Sequence, residues 1–392
     1  MTNNKTITAL SSLSDAHLAS EEIYQQLNHA DIGFIVFYCS SAYCLPALAK
    51  SMQTLFINVK VVGCTTAGEI CDAGNQEHSI VAIGFSSNYF SISAELVQSM
   101  AGFDLLDAQK TINRLSEQCA SKELTSIKNN TFLLTLLDGL SLEEEHFLAA
   151  LNSAAAGIPH FGGSAGGDDN LCNTYVYYDG QFFQQAAVVI MINSTCPFEV
   201  FNCHHIKKPT EKLVVTAVDA QNRIVYELNA EPAALEYARL LNIDVKDLCP
   251  KVFSLHPLAV KVGGQYYIRA IQKVNEEDLS LTFFCAVDVG IVLTAVEMGD
   301  ILESLSTKLE DMYERYGKPQ VVLACDCVLR RLEIEHKDLN AEVQALNSEY
   351  KIAGFNSYGE HINGIHLNQT FAGVYIADTA ANTADSVGAS NV

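Results

Sequence analysis

A chain of 392 residues, about half of them apolar, is long enough to bury the cores of two domains. Its net charge of −22 opposes nucleic acid and anionic membrane as partners, and no apolar run approaches the ~20 residues of a membrane-spanning helix. A polar N-terminus and twelve scattered cysteines without a Cys-x-x-Cys pair predict a cytoplasmic protein with reduced thiols and no disulfide framework.

Residues 1–30 read as a polar lead-in. The apolar run from Phe34 to Phe37 predicts a strand, and Leu45, Leu48, Ala49, Met52, Leu55 and Phe56 recur at helical spacing across 43–56. Further strands are expected at 59–62, 79–85 and 90–96. The layout then repeats. A strand at 132–137 precedes a helix through Ala154, opened by Ser141 and Glu144 as a capping box, with Phe147, Leu148, Leu151 and Ala155 facing inward. Paired strands 174–178 and 187–192 follow, with a turn at Asp179-Gly180. Near Thr210 the register changes. A strand at 224–227, a helix opened by Pro232 and strands at 258–262, 266–271 and 281–286 precede a long helix at 300–316 with Ile301, Leu305, Leu309 and Met312 on one face. Strands at 321–324 and 371–376 close the pattern, and the polar tail 379–392 is expected to be disordered. This rhythm predicts an α/β protein of mixed sheets covered by helices, built from three related strand–helix–strand units with acidic glycine turns. Two domains are expected, 31–210 with two of the units and 211–378 with the third.

One pattern marks all three units: a glycine, four residues, a second glycine and an acid. It reads Gly63 to Glu69 (GCTTAGE), Gly162 to Asp168 (GGSAGGD) and Gly354 to Glu360 (GFNSYGE). A phosphate-binding loop shares the spacing but needs a lysine where Glu69, Asp168 and Glu360 stand, and its helix follows the glycines, whereas here the helix precedes them. A tight glycine turn with its acid hydrogen-bonded to backbone amides accounts for any single copy. Three copies that keep the acid favour a shared pocket rim, where the carboxylates would suit an ammonium group such as that of an amino acid.

The stretches VGCTTAGE (62–69), FGGSAGGD (161–168), VLRR (328–331) and GFNSYGE (354–360) resemble the FIST family, a sensory module with an N-terminal and a C-terminal part. The likeness spans about residues 31–376, and no further catalytic domain is expected. The segment GIHLNQTF (364–371) is similar to that of the stand-alone nitric-oxide-sensing members. That resemblance implies haem b, nitric oxide as signal, and a partner sensor histidine kinase or cyclic-di-GMP synthase or phosphodiesterase in biofilm control. A homodimer is compatible with it.

Haem requires an imidazole in an apolar pocket and cations for its propionates. Of eleven histidines, His17, His29, His78 and His336 lie in polar stretches, His146 lies on an acidic helix and His160 opens a strand. His204 and His205 are neighbours that a strand would send to opposite faces. His366, His361 and His256 remain. Alternation puts His366 opposite Ile365 and Leu367, open to either a ligand or a structural role. His361 at a turn and His256 before Pro257 read as structural. Arg330 and Arg331 would meet propionates or form ordinary salt bridges. The main pocket is expected in the C-terminal part beside Tyr358, Glu360 and Arg330. The absence of Cys-x-x-Cys-His excludes covalent haem, while a cysteine ligand stays open. An enzyme using Cys64 or Cys325 is the weakest reading, because no His and Asp constellation accompanies either, and a non-enzyme is expected.

Overall fold

A computed structural model describes residues 5–168 and 173–378; the expected tail and Cys172 lie outside the described residues. The first unit comprises β1 (Thr6–Ser11), α1 (Ala16–Leu27), β2 (Ile32–Ser40), α2 (Leu45–Leu55), β3 (Lys60–Thr66), β4 (Glu69–Cys71), β5 (Gly74–Gln76) and β6 (Ile80–Ser86). The second repeats the order with β7 (Phe90–Val97), α3 (Leu105–Ala120), β8 (Thr131–Leu137), α4 (Glu144–Ala155), β9 (His160–Ser164), β10 (Val176–Tyr178), β11 (Gln181–Phe183) and β12 (Ala187–Ser194). The third begins with β13 (Phe198–Cys203), which leads into an inserted module. The module contains β14 (Ile206–Asp219), β15 (Ile224–Leu228), β16 (Glu231–Pro232), α5 (Ala233–Leu241), α6 (Pro250–Leu255), β17 (Leu258–Val262), β18 (Gln265–Arg269), β19 (Ile271–Asn275), β20 (Ser280–Phe283) and β21 (Val292–Met298). The unit resumes with α7 (Ile301–Tyr316), β22 (Pro319–Cys327), α8 (Val328–His336), α9 (Asn340–Tyr350), β23 (Ile352–Ser357), β24 (Gly359–Ile362), β25 (Ile365–Leu367) and β26 (Phe371–Ala377).

The units form three separate six-stranded sheets of one topology, β1-β6-β2-β3-β10-β11, β7-β12-β8-β9-β24-β25 and β13-β26-β22-β23-β4-β5. In each, a parallel strand pair is joined through helix, and the last two strands are a hairpin borrowed from another unit. The hairpin after the first motif completes the third sheet, the hairpin after the second completes the first, and the hairpin after the third completes the second. The expected pairing of 174–178 with 187–192 is corrected accordingly. The Asp179-Gly180 turn, positive in φ at both residues, joins β10 to β11, and β12 belongs to another sheet.

The core strands are apolar along their whole length because both faces are covered. The inner faces meet in one shared core containing Val36 and Tyr38, Leu134 and Leu136, and Leu323 and Cys325; Tyr38 stacks on Phe355 with ring centroids 4.7 Å apart. The outer faces are covered by α1 and α2, by α3 and α4, and by α7 and α9. The inserted module has its own eight-stranded sheet and its own core around Leu213, Tyr237, Phe253 and Leu281.

The glycine motifs are where the three sheets interlock. The amide at the fifth motif position donates to the carbonyl at the third position of another motif: Ala67 to Asn356 (2.9 Å), Gly166 to Thr65 (3.0 Å) and Tyr358 to Ser164 (3.1 Å). The first glycines are strand residues, not turn residues. Gly63, Gly162 and Gly354 pair with Phe37, Thr135 and Ala324 of the parallel neighbour, and a Cβ on any of them would overlap that residue's carbonyl oxygen. They are glycines because backbones approach closely there, a role spacing does not separate from positive φ.

Candidate functional site

The acidic motif positions do not form a pocket rim. Glu69 is fully buried and accepts hydrogen bonds from Thr66 Oγ1, Ser79 Oγ (2.6 Å) and Ser79 N. Glu360 repeats the arrangement with Ser357 Oγ (2.5 Å) and Thr370 N (3.2 Å) at the same sequence offsets. In the second motif the hydroxyl position is Ala165, and Asp168 turns instead to Ser40 Oγ, Ser41 Oγ and Ala42 N. Glu69 and Glu360 therefore offer no exposed oxygen to an ammonium ligand. Burial pushes the Glu69 carboxyl up to about 7 and holds Glu360 well above the usual carboxylate range, against the lowering pull of the hydroxyls.

A pH dependence follows. The Glu69 carboxyl rises from 4.5 to about 7 on folding, so its protonated form contributes stability below 4.5 that is lost as pH climbs through 7. Between about pH 5 and pH 8 the wild type is expected to lose on the order of 2–3 kcal/mol that a Glu69→Gln variant keeps. Urea midpoints measured across that range check this, and parallel curves for the two proteins would refute it.

Arg330, Tyr358 and Glu360, expected around the main pocket, are all buried in the interlocked centre. Arg330 Nε donates to Asp326 Oδ1 (2.5 Å) and its Nη1 to His205 Nδ1 (3.1 Å). The Nε2 of His205 then faces both Glu333 oxygens (2.9 and 3.0 Å), and Lys337 Nζ donates to Glu333 Oε1 (2.6 Å). The guanidinium donor assigns the proton to His205 Nε2, and burial lowers the imidazole pKa, which keeps the ring neutral. Arg331 fastens α8 to the first motif through Ala67 O (2.7 Å) and pairs with Glu335 and Glu77. Tyr358 Oη donates to Gly167 O (2.9 Å). The arginines are thus internal ties.

His361 and His366 do not fit haem. His361 is fully buried with Nε2 2.6 Å from Thr135 Oγ1, and His366 Nδ1 lies 3.0 Å from Glu145 Oε1. Each ring packs so tightly over a glycine, Gly162 or Gly359, that a Cβ there would overlap it, leaving no room for a macrocycle. His256 differs. It is exposed and borders a cavity of about 630 Å³ between the inserted module and α8. Leu240, Leu241, Leu255, Val296 and Met298 supply apolar wall, and Glu333 and Lys337 bring the outer end of the buried polar chain to its edge. Partial desolvation lowers the His256 pKa, favouring the neutral imidazole that a metal requires. His256 also caps α6 through Val252 O (3.0 Å), and its own carbonyl accepts from Tyr237 Oη (2.6 Å). The wall suits a large apolar ligand, and Glu211 and Glu297 line it as well, so that carboxylates outnumber the one cation, Lys337.

A second cavity, about 830 Å³, opens at the start of α2 beside Tyr43, Tyr175 and Phe182, with no histidine or cation among the described residues of its wall. Cys64 and Cys325 are buried, and burial pushes both thiols well above their ordinary range, which removes the thiolate a nucleophile needs. No local pattern announces the His205–Glu333–Asp326 chain, nor Arg223, which pairs with Glu144 and Glu145. The one available signal was the His204-His205 pair, which does split into one exposed and one buried ring.

The family model described as FIST N domain matches residues 33–231, and the one described as FIST C domain matches residues 233–363. The seam between them falls inside the inserted module, where β16 meets α5. The chain is also similar to the uncharacterized protein MJ1623 of Methanocaldococcus jannaschii, 22% identical over 351 residues, which covers 80% of this chain and 67% of that protein. Among the described residues no helix is long and apolar enough to cross a membrane.

Proposed function

Since the chain belongs to the FIST family, whose domains are sensory rather than catalytic, we propose that it is a cytoplasmic sensor whose ligand lies in the His256 cavity. The proposed ligand is haem b, with nitric oxide as the signal and a sensor histidine kinase or a cyclic-di-GMP enzyme as the partner. One observation carries this reading: of the three candidate histidines, His256 is the one whose ring borders open space. There His256 would hold the iron, the leucines and Met298 would supply the apolar wall, and Lys337 is the cation available to a propionate. Haem would supply the gas-binding iron. Because Lys337 ends the Glu333–His205–Arg330–Asp326 chain, moving its ammonium toward an anion would unload Glu333 and act on β22 in the interlocked centre. The amino-acid alternative loses its support, since Glu69 and Glu360 are buried and engaged.

Titrating haem into the protein, followed by visible absorption, tests the reading. Wild type should develop the intense violet band. His256→Ala should bind at least roughly tenfold more weakly, and His366→Ala should match wild type. No band in the wild type ends the haem reading. A band lost in His366→Ala and kept in His256→Ala would move the iron to the β24–β25 hairpin.

A further inference from the structure

Three copies of one unit permit a comparison of equivalent positions. On the outer face of each sheet, four residues form a row from the first parallel strand, through the first motif glycine, into the borrowed hairpin. In the first sheet the row is Phe37, Gly63, Tyr177 and Phe182; in the third it is Ala324, Gly354, Ile70 and Asn75. In the second it is Thr135, Gly162, His361 and His366. At the places of His361 and His366 the first sheet carries an edge-to-face Tyr177–Phe182 pair, centroids 5.2 Å apart, and the third carries Ile70 and Asn75. The second sheet buries two imidazoles there instead, at 0 % and 4 % exposure.

Each imidazole keeps one ring nitrogen, His361 Nδ1 and His366 Nε2, without a hydrogen-bond partner among the described residues. A buried polar atom left so is destabilising, and the sister sheets show that the topology does not require an imidazole there. At His366 the surroundings specify what would satisfy it. Nδ1 lies 3.0 Å from Glu145 Oε1, and Nε2 points toward Glu144 Oε1 at 3.8 Å. Arg223, from the inserted module, holds the other two oxygens, with Nη1 2.9 Å from Glu144 Oε2 and Nη2 2.6 Å from Glu145 Oε2. That fork turns both Oε1 atoms to the ring. Ser164 Oγ donates to Glu144 Oε1, which retains a further lone pair, whereas Ala286 N (2.8 Å) and His366 Nδ1 together occupy Glu145 Oε1.

We propose that Glu144 Oε1 and His366 Nε2 bind one divalent first-row transition ion, with Glu145 holding the imidazole from its Nδ1 side. Their donor atoms lie within 4.8 Å of one another. A carboxylate on Nδ1 leaves the Nε2 lone pair free for a metal, the usual orientation of a ligating histidine. One imidazole nitrogen with a carboxylate oxygen suits Zn²⁺, Fe²⁺ or Mn²⁺; the imidazole disfavours Ca²⁺, and the absence of thiolate from the set disfavours Cu⁺. Two carboxylates against one guanidinium leave net negative charge for the cation, and the 31 % exposed Glu145 side chain gives it an entrance. The site joins α4 of the second unit, the borrowed hairpin of the third and the inserted module, so the ion would fasten that junction.

The test uses haem-free full-length protein stripped with a chelator, then equilibrated with Zn²⁺ and analysed for bound metal. About one tightly held Zn²⁺ per chain is expected, with a raised melting temperature. Co²⁺ in its place should give only the weak visible bands of nitrogen and oxygen donors. His366→Phe, which installs the residue that the first sheet uses at this position, should lower affinity at least roughly tenfold, and Glu145→Gln roughly tenfold. The proposal is overturned if wild type takes up no stoichiometric Zn²⁺, if His366→Phe binds as wild type, or if Co²⁺ shows an intense thiolate charge-transfer band. Should His366→Phe fail to fold, unchanged affinity in Glu145→Gln overturns it equally.

Discussion

Replacing Gly354 with alanine is expected to destabilise the protein by about 4 kcal/mol or more, the range that only severe mechanisms reach. The new methyl would overlap the Ala324 carbonyl oxygen, a backbone atom with no rotamer to escape into. The β22–β23 pair would have to part, and with it the Ala67 to Asn356 hydrogen bond that links the first and third motifs. Gly63→Ala and Gly162→Ala should behave alike, because Phe37 O and Thr135 O stand in the same place. Gly299→Ala is the control, since its nearest neighbour, His205 O, would be 3.3 Å away. Urea unfolding followed by circular dichroism measures all four. A Gly354→Ala midpoint equal to that of wild type would show that the strands are free to separate.

Arg330→Met is expected to lower stability by about 3–5 kcal/mol, the loss that follows when one partner of a buried ion pair is removed. Asp326 would keep a buried carboxylate without its counter-charge, and His205 Nδ1 would lose its donor. Burial already raises the Asp326 carboxyl above its ordinary 3.8 with the arginine in place, and losing the arginine raises it further. A raised carboxyl contributes stability below its unfolded value and loses it as pH climbs, so the deficit should be small in acid and grow toward neutrality. Adding Asp326→Asn to the variant should recover much of the loss at neutral pH, and a double-mutant cycle in urea reads the coupling directly. Additive losses would mean that the two side chains act independently.

The repeated units were legible because Phe34, Phe132 and Val321 head apolar runs and because residues 45–56 keep a helical period. Periodicity reports which face is buried, and that is what the units needed. It says nothing of which sheet receives a hairpin, so the Asp179-Gly180 turn was found while its destination was not. The Ser141 and Glu144 spacing reads as a capping box, yet Glu144 is buried against Ser164 and Arg223, and α4 starts without a side-chain cap. Arg223 lies 79 residues away, beyond the reach of a local motif. The polar run from Gly354 to Thr370 was read as a pocket for an equally physical reason. Polar residues cluster where ligands bind, but also where buried backbone ends need partners, and here three motif ends satisfy one another. His256 was read as structural because Pro257 follows it, and its cavity is assembled from segments near 210, 240, 296 and 333 that no local pattern connects.

The exchange of hairpins bears on how the chain is made. Hairpin β4–β5 leaves the ribosome early, but the strand it joins, β23, lies at residues 352–357. At translation rates of ~5–20 residues per second it waits on the order of tens of seconds. Over that interval β9 too presents an open edge, until β24 arrives near the end of the described chain. Unpaired edges invite the wrong partners, so the nascent protein calls for chaperone cover until its last strands emerge. The two halves recognised as FIST N and FIST C can be told apart by sequence, but each holds strands the other cannot close without.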